Sequence, residues 1–87
     1  MKLQQLGSNK TKLIYGNGTE IFFSYDTPVA GCSKELGCFK TEQKFSRTTT
    51  KHINSYIENR DAQTIPQRAI QMAQHQAITA DAAPHLS

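Results

Sequence analysis

The chain has 87 residues, 37% of them hydrophobic and 20% charged, a length that suits one domain with a thin core and excludes two. The formal net charge is +3, and residues 34–51 carry all of it; this is a mild excess, since nucleic-acid-binding domains often concentrate far more charge on one face. No run approaches the roughly 18 apolar residues of a membrane span, and no signal peptide follows Lys2, which predicts a cytosolic protein with no membrane partner.

A β-hairpin over about residues 11–25 is the clearest element. Asn17-Gly18 separates two β-rich runs, and a type I′ turn at such a pair requires positive φ at both residues. We then expect Ile14, Ile21, Phe23 and Tyr25 on one sheet face and Leu13, Tyr15, Phe22 and Ser24 on the other, with Ile14 opposite Ile21 and Leu13 opposite Phe22. Both faces are apolar, so each is predicted to be covered by another element or to serve as a binding surface.

The next segment gives weaker signals. Pro28 has no N–H to donate to a ladder, so the hairpin is predicted to end there. A loop is expected over residues 31–38, which begin and nearly end with glycine. Short strands are predicted over residues 39–41 and 43–46, and residues 59–63 are predicted to be a link.

Two cysteines lie within the predicted loop. The spacing from Cys32 to Cys38 is too wide for the usual zinc knuckle, so no metal site is expected. In the cytosol we expect two free thiols, with a disulfide that closes the loop as the alternative.

Two helices are predicted, at about residues 49–58 and 65–77. Ile53, Tyr56 and Ile57 form one apolar stripe after a run of hydroxyl residues, and Thr64 with Gln67 has the spacing of a capping box. The weaker stripe of the second helix consists of Ile65, Ala69, Met72, Ala73 and Gln76. Strands followed by helices predict an α+β fold with an antiparallel sheet, a single domain over residues 1–78, and a flexible tail over residues 79–87.

The sequence contains no recognisable catalytic or cofactor motif. A triad of either cysteine with His52 and Asp26 rests on residue types alone, because chain positions give no proximity. The glycines around Asn17 lack the following helix and the Lys-Ser/Thr pair of a phosphate-binding loop. We therefore expect a non-enzymatic protein without metal or cofactor.

Binding to another macromolecule remains as the function class. Tyrosine and arginine are frequent anchors of protein interfaces, and lysine and hydroxyl groups can bind phosphate. The candidate partner-binding residues are Tyr15, Tyr25, Lys40, Lys44, Arg47, Lys51 and His52. A protein partner is the main expectation, nucleic acid bound by the basic stretch 34–51 is the alternative, and self-association as a homodimer is left open.

Three phrases of the sequence carry a family resemblance: Leu6-Gly7-Ser8-Asn9, the run from Ile21 to Ala30, and the run from Thr48 to Asn54. In this order they resemble an uncharacterised family of small bacteriophage and mobile-element proteins with the pattern Ser-Tyr-x-Thr-Pro-Val-Ala … Thr-Thr-x-Lys-His-Ile-Asn. The resemblance implies an accessory protein in the host bacterial cytoplasm. It further implies binding to a host or defence protein, for example as an anti-CRISPR-like inhibitor.

Overall fold

The computed structural model describes residues 2–58 and 60–82 and has an α+β fold, as predicted. Six strands and two helices follow one another as β1 (Lys2–Gly7), β2 (Lys10–Ile14), β3 (Glu20–Ser24), β4 (Thr27–Ser33), β5 (Gly37–Thr41), α1 (Arg47–Ile57), β6 (Ala62–Ile65) and α2 (Gln67–Ala82). The strands form one sheet in chain order, and β1 to β5 are antiparallel. Strand β6 is parallel to β5, because α1 carries the chain back to the start of β5.

The predicted hairpin exists, but its turn and register differ from the prediction. Only Gly18 has positive φ in the turn, and the Tyr15 carbonyl accepts a hydrogen bond from the Gly18 N–H while the Tyr15 N–H donates to Thr19. This three-residue loop pairs Leu13 with Ile21, one position away from the expected register. The predicted composition of the two faces was therefore wrong, because a shift of one residue moves side chains to the opposite face.

Strand β4 and strand β6 were not predicted. Pro28 does not end the sheet: a two-residue turn after Ser24 leads straight into β4, and the pairing shifts beside Pro28. The stretch from Val29 to Gly31 is buried, and Phe39 lies so close to Gly31 that a Cβ there would sit 2.8 Å from its ring. Part of the predicted link 59–63 belongs to β6, while residues 43–46 are not a strand.

The sheet separates two hydrophobic clusters, one under each helix. Phe22, Val29, Ala30, Ile53, Tyr56 and Ile57 form the cluster on the α1 side. Tyr15, Ile21, Phe39, Ile65, Ile70 and Ala77 form the cluster on the α2 side. The expectation that both apolar faces of the hairpin need a cover is thus confirmed. The choice of Tyr15 as a candidate partner-binding residue implied an exposed side chain, and this was wrong, since only 3% of its surface is accessible.

Both helices lie near their predicted positions. Helix α1 begins after Ser46, whose hydroxyl accepts a hydrogen bond from the Thr49 N–H as an N-cap. Helix α2 begins at Gln67, and Thr64 lies in β6 and not at the N-cap of α2, so the predicted capping box does not form. The side-chain amide of Gln67 donates to the Pro28 carbonyl. Met72 was wrongly assigned to the packed stripe, because it is 61% exposed.

Helix α2 is longer than predicted. Helix α2 continues to Ala82 and so includes the first residues of the predicted tail 79–87. Residues 83–87 of that tail lie outside the described residues.

The two cysteines form a disulfide. Cys32 on β4 and Cys38 on β5 stand directly opposite each other, because the turn between them folds the chain back into a hairpin. The predicted loop over 31–38 is in fact the end of this hairpin, and the expectation of two free thiols was wrong.

Candidate partner-binding site

A concave surface of about 590 Å³ lies where β5 ends and α1 begins. Its lining includes the basic side chains Lys40, Lys44, Arg47 and Lys51, the apolar side chains Phe45 and Ile53, and the carboxylate of Glu42. We call this surface the basic groove. It gathers four of the five basic residues between positions 34 and 51.

Three segments build the basic groove. Lys40 is held in β5, Lys44 follows in the connecting loop, and Arg47 and Lys51 lie one turn apart on α1. A spacing of four residues places the last two on the same face of the helix. The first turn of α1 contains no acidic residue, so the positive end of the helix dipole adds to the basic side chains.

The floor of the groove belongs to the protein core. Ile53 is 8% exposed in the cluster on the α1 side, and Phe45 packs against the same cluster. Because these apolar side chains are fixed, the groove offers a hydrophobic base surrounded by cations. Such a surface suits an acidic partner that also brings an apolar group.

A buried polar junction ties α1 to the end of the β3–β4 hairpin. The hydroxyl of Ser24 lies 2.8 Å from Nδ1 of His52 and donates to Oγ1 of Thr49 at 3.1 Å. The N-cap Ser46 also donates to Thr49 at 3.3 Å. Ser24 and Thr49 are 1% and 6% exposed, so these contacts fix the start of α1, and with it the basic groove, relative to the sheet.

Tyr25 projects from the hairpin tip beside this junction. Its φ of 58° is in the left-handed region, and its N–H donates to the Asn9 carbonyl at 2.8 Å. The residue remains 49% exposed, and the centroid of its ring lies 5.9 Å from that of His52. An aromatic side chain held at the surface in a strained turn is a candidate anchor for a partner.

The predicted site residues divide into three groups. Lys40, Lys44, Arg47 and Lys51 line the basic groove together. His52 contacts Tyr25 and lines a different concavity on the same side of the sheet, so these two stand next to the groove. Tyr15 is buried and on the other side of the sheet, where it belongs to the α2 cluster.

That second concavity has a volume of about 530 Å³ and also has basic side chains, among them Lys10, Lys12 and Arg60. Lys12 is paired with Glu20 at 3.3 Å, so its charge is already matched. Glu20 in turn accepts a hydrogen bond from the Tyr56 hydroxyl at 2.7 Å. Burial raises the pKa of the Tyr56 phenol above its usual value, and the contact with Glu20 raises it further, so the phenol stays a neutral donor.

The Ser–His contact does not expose a nucleophile. The Ser24 hydroxyl is buried, so a substrate has no access to it in this conformation. In the described part of the chain, no group of three or more His, Cys, Asp or Glu residues could hold a metal ion. No helix over residues 2–58 and 60–82 is long and apolar enough to cross a membrane.

Sequence reasoning missed the contacts of Ser24, Thr49 and Ser46 and the roles of Phe45 and Ile53 in the groove floor. A signal for Ser24 and Thr49 did exist, because Ser24-Tyr25 and Thr49…His52 are parts of two of the phrases that carry the family resemblance. The structure brings these two phrases into direct contact. Phe45 had only its position between Lys44 and Arg47 as a signal.

The family model of DUF8033, a family of unknown function, matches residues 1–72. No curated protein and no solved structure matches the chain. Since the family model covers well over half of the chain, the protein belongs to DUF8033.

Proposed function

We propose that this protein is a non-enzymatic, phage-type accessory protein that binds and modulates a host or defence protein in the bacterial cytoplasm. An anti-CRISPR-like inhibitor is one example of this class. The observation that carries the proposal is the basic groove, in which four cationic side chains surround an apolar floor. The phage origin and the cytoplasmic location rest on the resemblance of the sequence phrases.

The composition of the groove favours a protein partner over nucleic acid. Phe45 and Ile53 form a fixed apolar floor, which an aliphatic or aromatic side chain of a partner would fill. Glu42 lies among the cations and would repel a phosphate. An acidic protein segment with one apolar anchor satisfies the floor and the surrounding charges together.

Tyr25 and His52 extend this surface. Tyr25 presents an exposed ring at a rigid turn, and His52 is held by Ser24 from below. A preorganised aromatic group lowers the entropy cost of binding, because little side-chain freedom remains to be lost. We therefore assign the partner contact to Lys40, Lys44, Arg47, Lys51, Tyr25 and His52.

Nucleic acid is the second candidate, and one observation favours it. Arg47 and Lys51 adjoin the N-terminus of α1, whose first turn lacks acidic residues and whose dipole attracts phosphate. In that case the hydroxyl of Thr50, which also lines the groove, would add a donor to the phosphate.

Capture from nuclease-treated bacterial lysate tests the proposal with two charge-matched variants. Lys44→Glu/Arg47→Glu reverses two charges in the groove, and Lys2→Glu/Arg68→Glu reverses two exposed charges away from it. We expect the original chain and the second variant to retain one stoichiometric protein, identified by mass spectrometry. The groove variant should bind this purified protein at least about tenfold more weakly, or about 1.4 kcal/mol, in calorimetry.

Two results would contradict this proposal. Equal affinity of both variants would remove the groove from the interface. Recovery of nucleic acid alone from untreated lysate, with binding that falls steeply with salt, would instead support the second candidate.

A further inference from the structure

The disulfide lies in a pocket of its own, apart from the basic groove. The groove is at the N-terminal end of α1, whereas Cys32 is in contact with Tyr56 and Arg60 at the C-terminal end. The pocket has a volume of about 380 Å³, and its lining includes both cysteines, the cations Lys34 and Arg60, and Glu20. Both cysteines are partly exposed and line this pocket.

Arg60 is held against one of the two sulfur atoms. Its Nη1 lies 3.7 Å from Sγ of Cys32, and its guanidinium group stacks 4.4 Å from the centroid of the Tyr56 ring. The same group donates to the backbone carbonyls of Tyr56 and Ile57. The Tyr56 hydroxyl also lies 3.7 Å from Sγ of Cys32.

The contacts with Arg60 and Tyr56 involve Cys32 and not Cys38. A cation next to a sulfur atom stabilises the thiolate that forms when a disulfide opens, and so makes that sulfur the better leaving group. Cys32 has such a cation in Arg60, and Cys38 has no comparable contact in the described part of the chain. The asymmetry gives the disulfide a preferred direction of cleavage.

We propose that Cys32 and Cys38 form a reversible dithiol–disulfide couple that exchanges with small acidic thiols such as glutathione. The thiolate of glutathione attacks Sγ of Cys38, the S–S bond breaks, and its electron pair remains on Cys32 next to Arg60. A second glutathione thiolate attacks the glutathione sulfur of the mixed disulfide and releases the Cys38 thiolate. In total, one protein disulfide and two glutathione thiols give two protein thiols and one glutathione disulfide.

The charges of the pocket select the thiol. Lys34 and Arg60 are both cations of the lining, whereas the carboxylate of Glu20 is engaged by Lys12 and the Tyr56 hydroxyl. Glutathione has two carboxylates and one ammonium group, so its net negative charge is attracted by these two cations. A cationic thiol such as cysteamine lacks this attraction.

Backbone pairing also holds these two strands together, in addition to the S–S bond. β4 and β5 pair on both sides of the disulfide, at Gly31 with Phe39 and at Ser33 with Gly37. The turn is also closed by a hydrogen bond from the Leu36 N–H to the Ser33 hydroxyl. Reduction is therefore expected to leave the secondary structure intact, as an exchanging couple requires.

Equilibration in glutathione buffers tests the couple. The chain, Arg60→Gln and the control Arg68→Gln are incubated at fixed ratios of reduced to oxidised glutathione, quenched with acid, alkylated and weighed by mass spectrometry. We expect full conversion between dithiol and disulfide with an unchanged circular dichroism spectrum. For Arg60→Gln, the ratio of reduced to oxidised glutathione at which half of the protein is reduced should rise about threefold or more, because the dithiol form is less stable without the cation. For Arg68→Gln, this ratio should equal that of the original chain.

Two measurements on the unmodified chain do not depend on the folding of a variant. Peptide mapping of the quenched mixed disulfide should find glutathione on Cys38. The rate of reduction, divided by the concentration of thiolate, should be about threefold or more higher with glutathione than with cysteamine. Glutathione on Cys32, equal rates for the two thiols, an Arg60→Gln midpoint equal to that of the original chain, or reduction only on unfolding would each overturn the proposal.

Discussion

Tyr25 combines a left-handed backbone conformation with an exposed aromatic side chain. Its left-handed φ of 58° costs about 1 kcal/mol for a residue with a Cβ, and asparagine tolerates this conformation better. We expect Tyr25→Asn to leave the free energy of unfolding unchanged or to raise it by up to about 1 kcal/mol. The same change should weaken partner binding about tenfold, because the exposed ring is lost.

Urea unfolding and calorimetry with the captured partner measure the two effects separately. Tyr25→Phe is the matched control, since it keeps the ring and the strain and removes only the hydroxyl. If Tyr25→Asn lowered stability and binding together, the ring would have a structural role through its contact with His52, and the assignment to the interface would fail.

At the scale of elements, two substitutions in α2 test which of its side chains pack on the sheet and stabilise the fold. Ile70 is fully buried against the sheet, whereas Met72, two positions along the same helix, is 61% exposed. We expect Ile70→Ala to lower the free energy of unfolding by about 2–5 kcal/mol and Met72→Ala to change it by less than about 0.5 kcal/mol. Both values come from urea unfolding followed by circular dichroism.

Equal and small effects of the two substitutions would mean that α2 is not packed on the sheet in solution. The two substitutions also test whether Met72 belongs to the packed face of α2, as the sequence predicted, or lies outside that face, as in the structure. Small residues such as Ala69 and Ala73 gave that stripe little contrast, so periodicity alone could not fix the rotation of the helix.

The strands divide into those with a local signal and those without. The hairpin was predicted because Asn17 and Gly18 are turn residues, yet its register was not, because a type I′ turn and a three-residue loop both suit Gly16-Asn17-Gly18. Strand β4 was missed because Pro28 suggested an end, and the pairing accommodates it by a shift in register. Strand β6 has four residues and depends on its parallel partner β5, which no local pattern reveals.

At the scale of the whole molecule, the candidate site was only partly predictable. The basic stretch was visible in the sequence, because charge clusters are local in the chain. The convergence of Lys40 with Arg47 and Lys51 depends on how β5 leads into α1, and the contact of Ser24 with Thr49 and His52 joins residues more than 20 positions apart. Such contacts are set by the packing of α1 on the sheet, which composition does not determine.

The concentration of charge in one region leads to a prediction for binding kinetics. The chain has a net charge of +3, and each double reversal changes it by −4, so the groove variant Lys44→Glu/Arg47→Glu and the control Lys2→Glu/Arg68→Glu both have a net charge of −1. Any difference between the two variants therefore reports where the charge is and not how much there is. For an acidic protein partner, we expect the groove variant to lose most of the electrostatic increase in association rate, about tenfold at low salt.

Stopped-flow association at a series of salt concentrations provides the measurement. The rate of the original chain should fall as salt rises, because ions screen the attraction between the groove and its partner. The groove variant should show a flat dependence, and the control variant should keep most of the slope, since its reversed charges lie on β1 and on α2, which packs on the other side of the sheet. If both variants lost the slope equally, attraction would depend on the total charge of the molecule, and the basic groove would have no special part in guiding the partner.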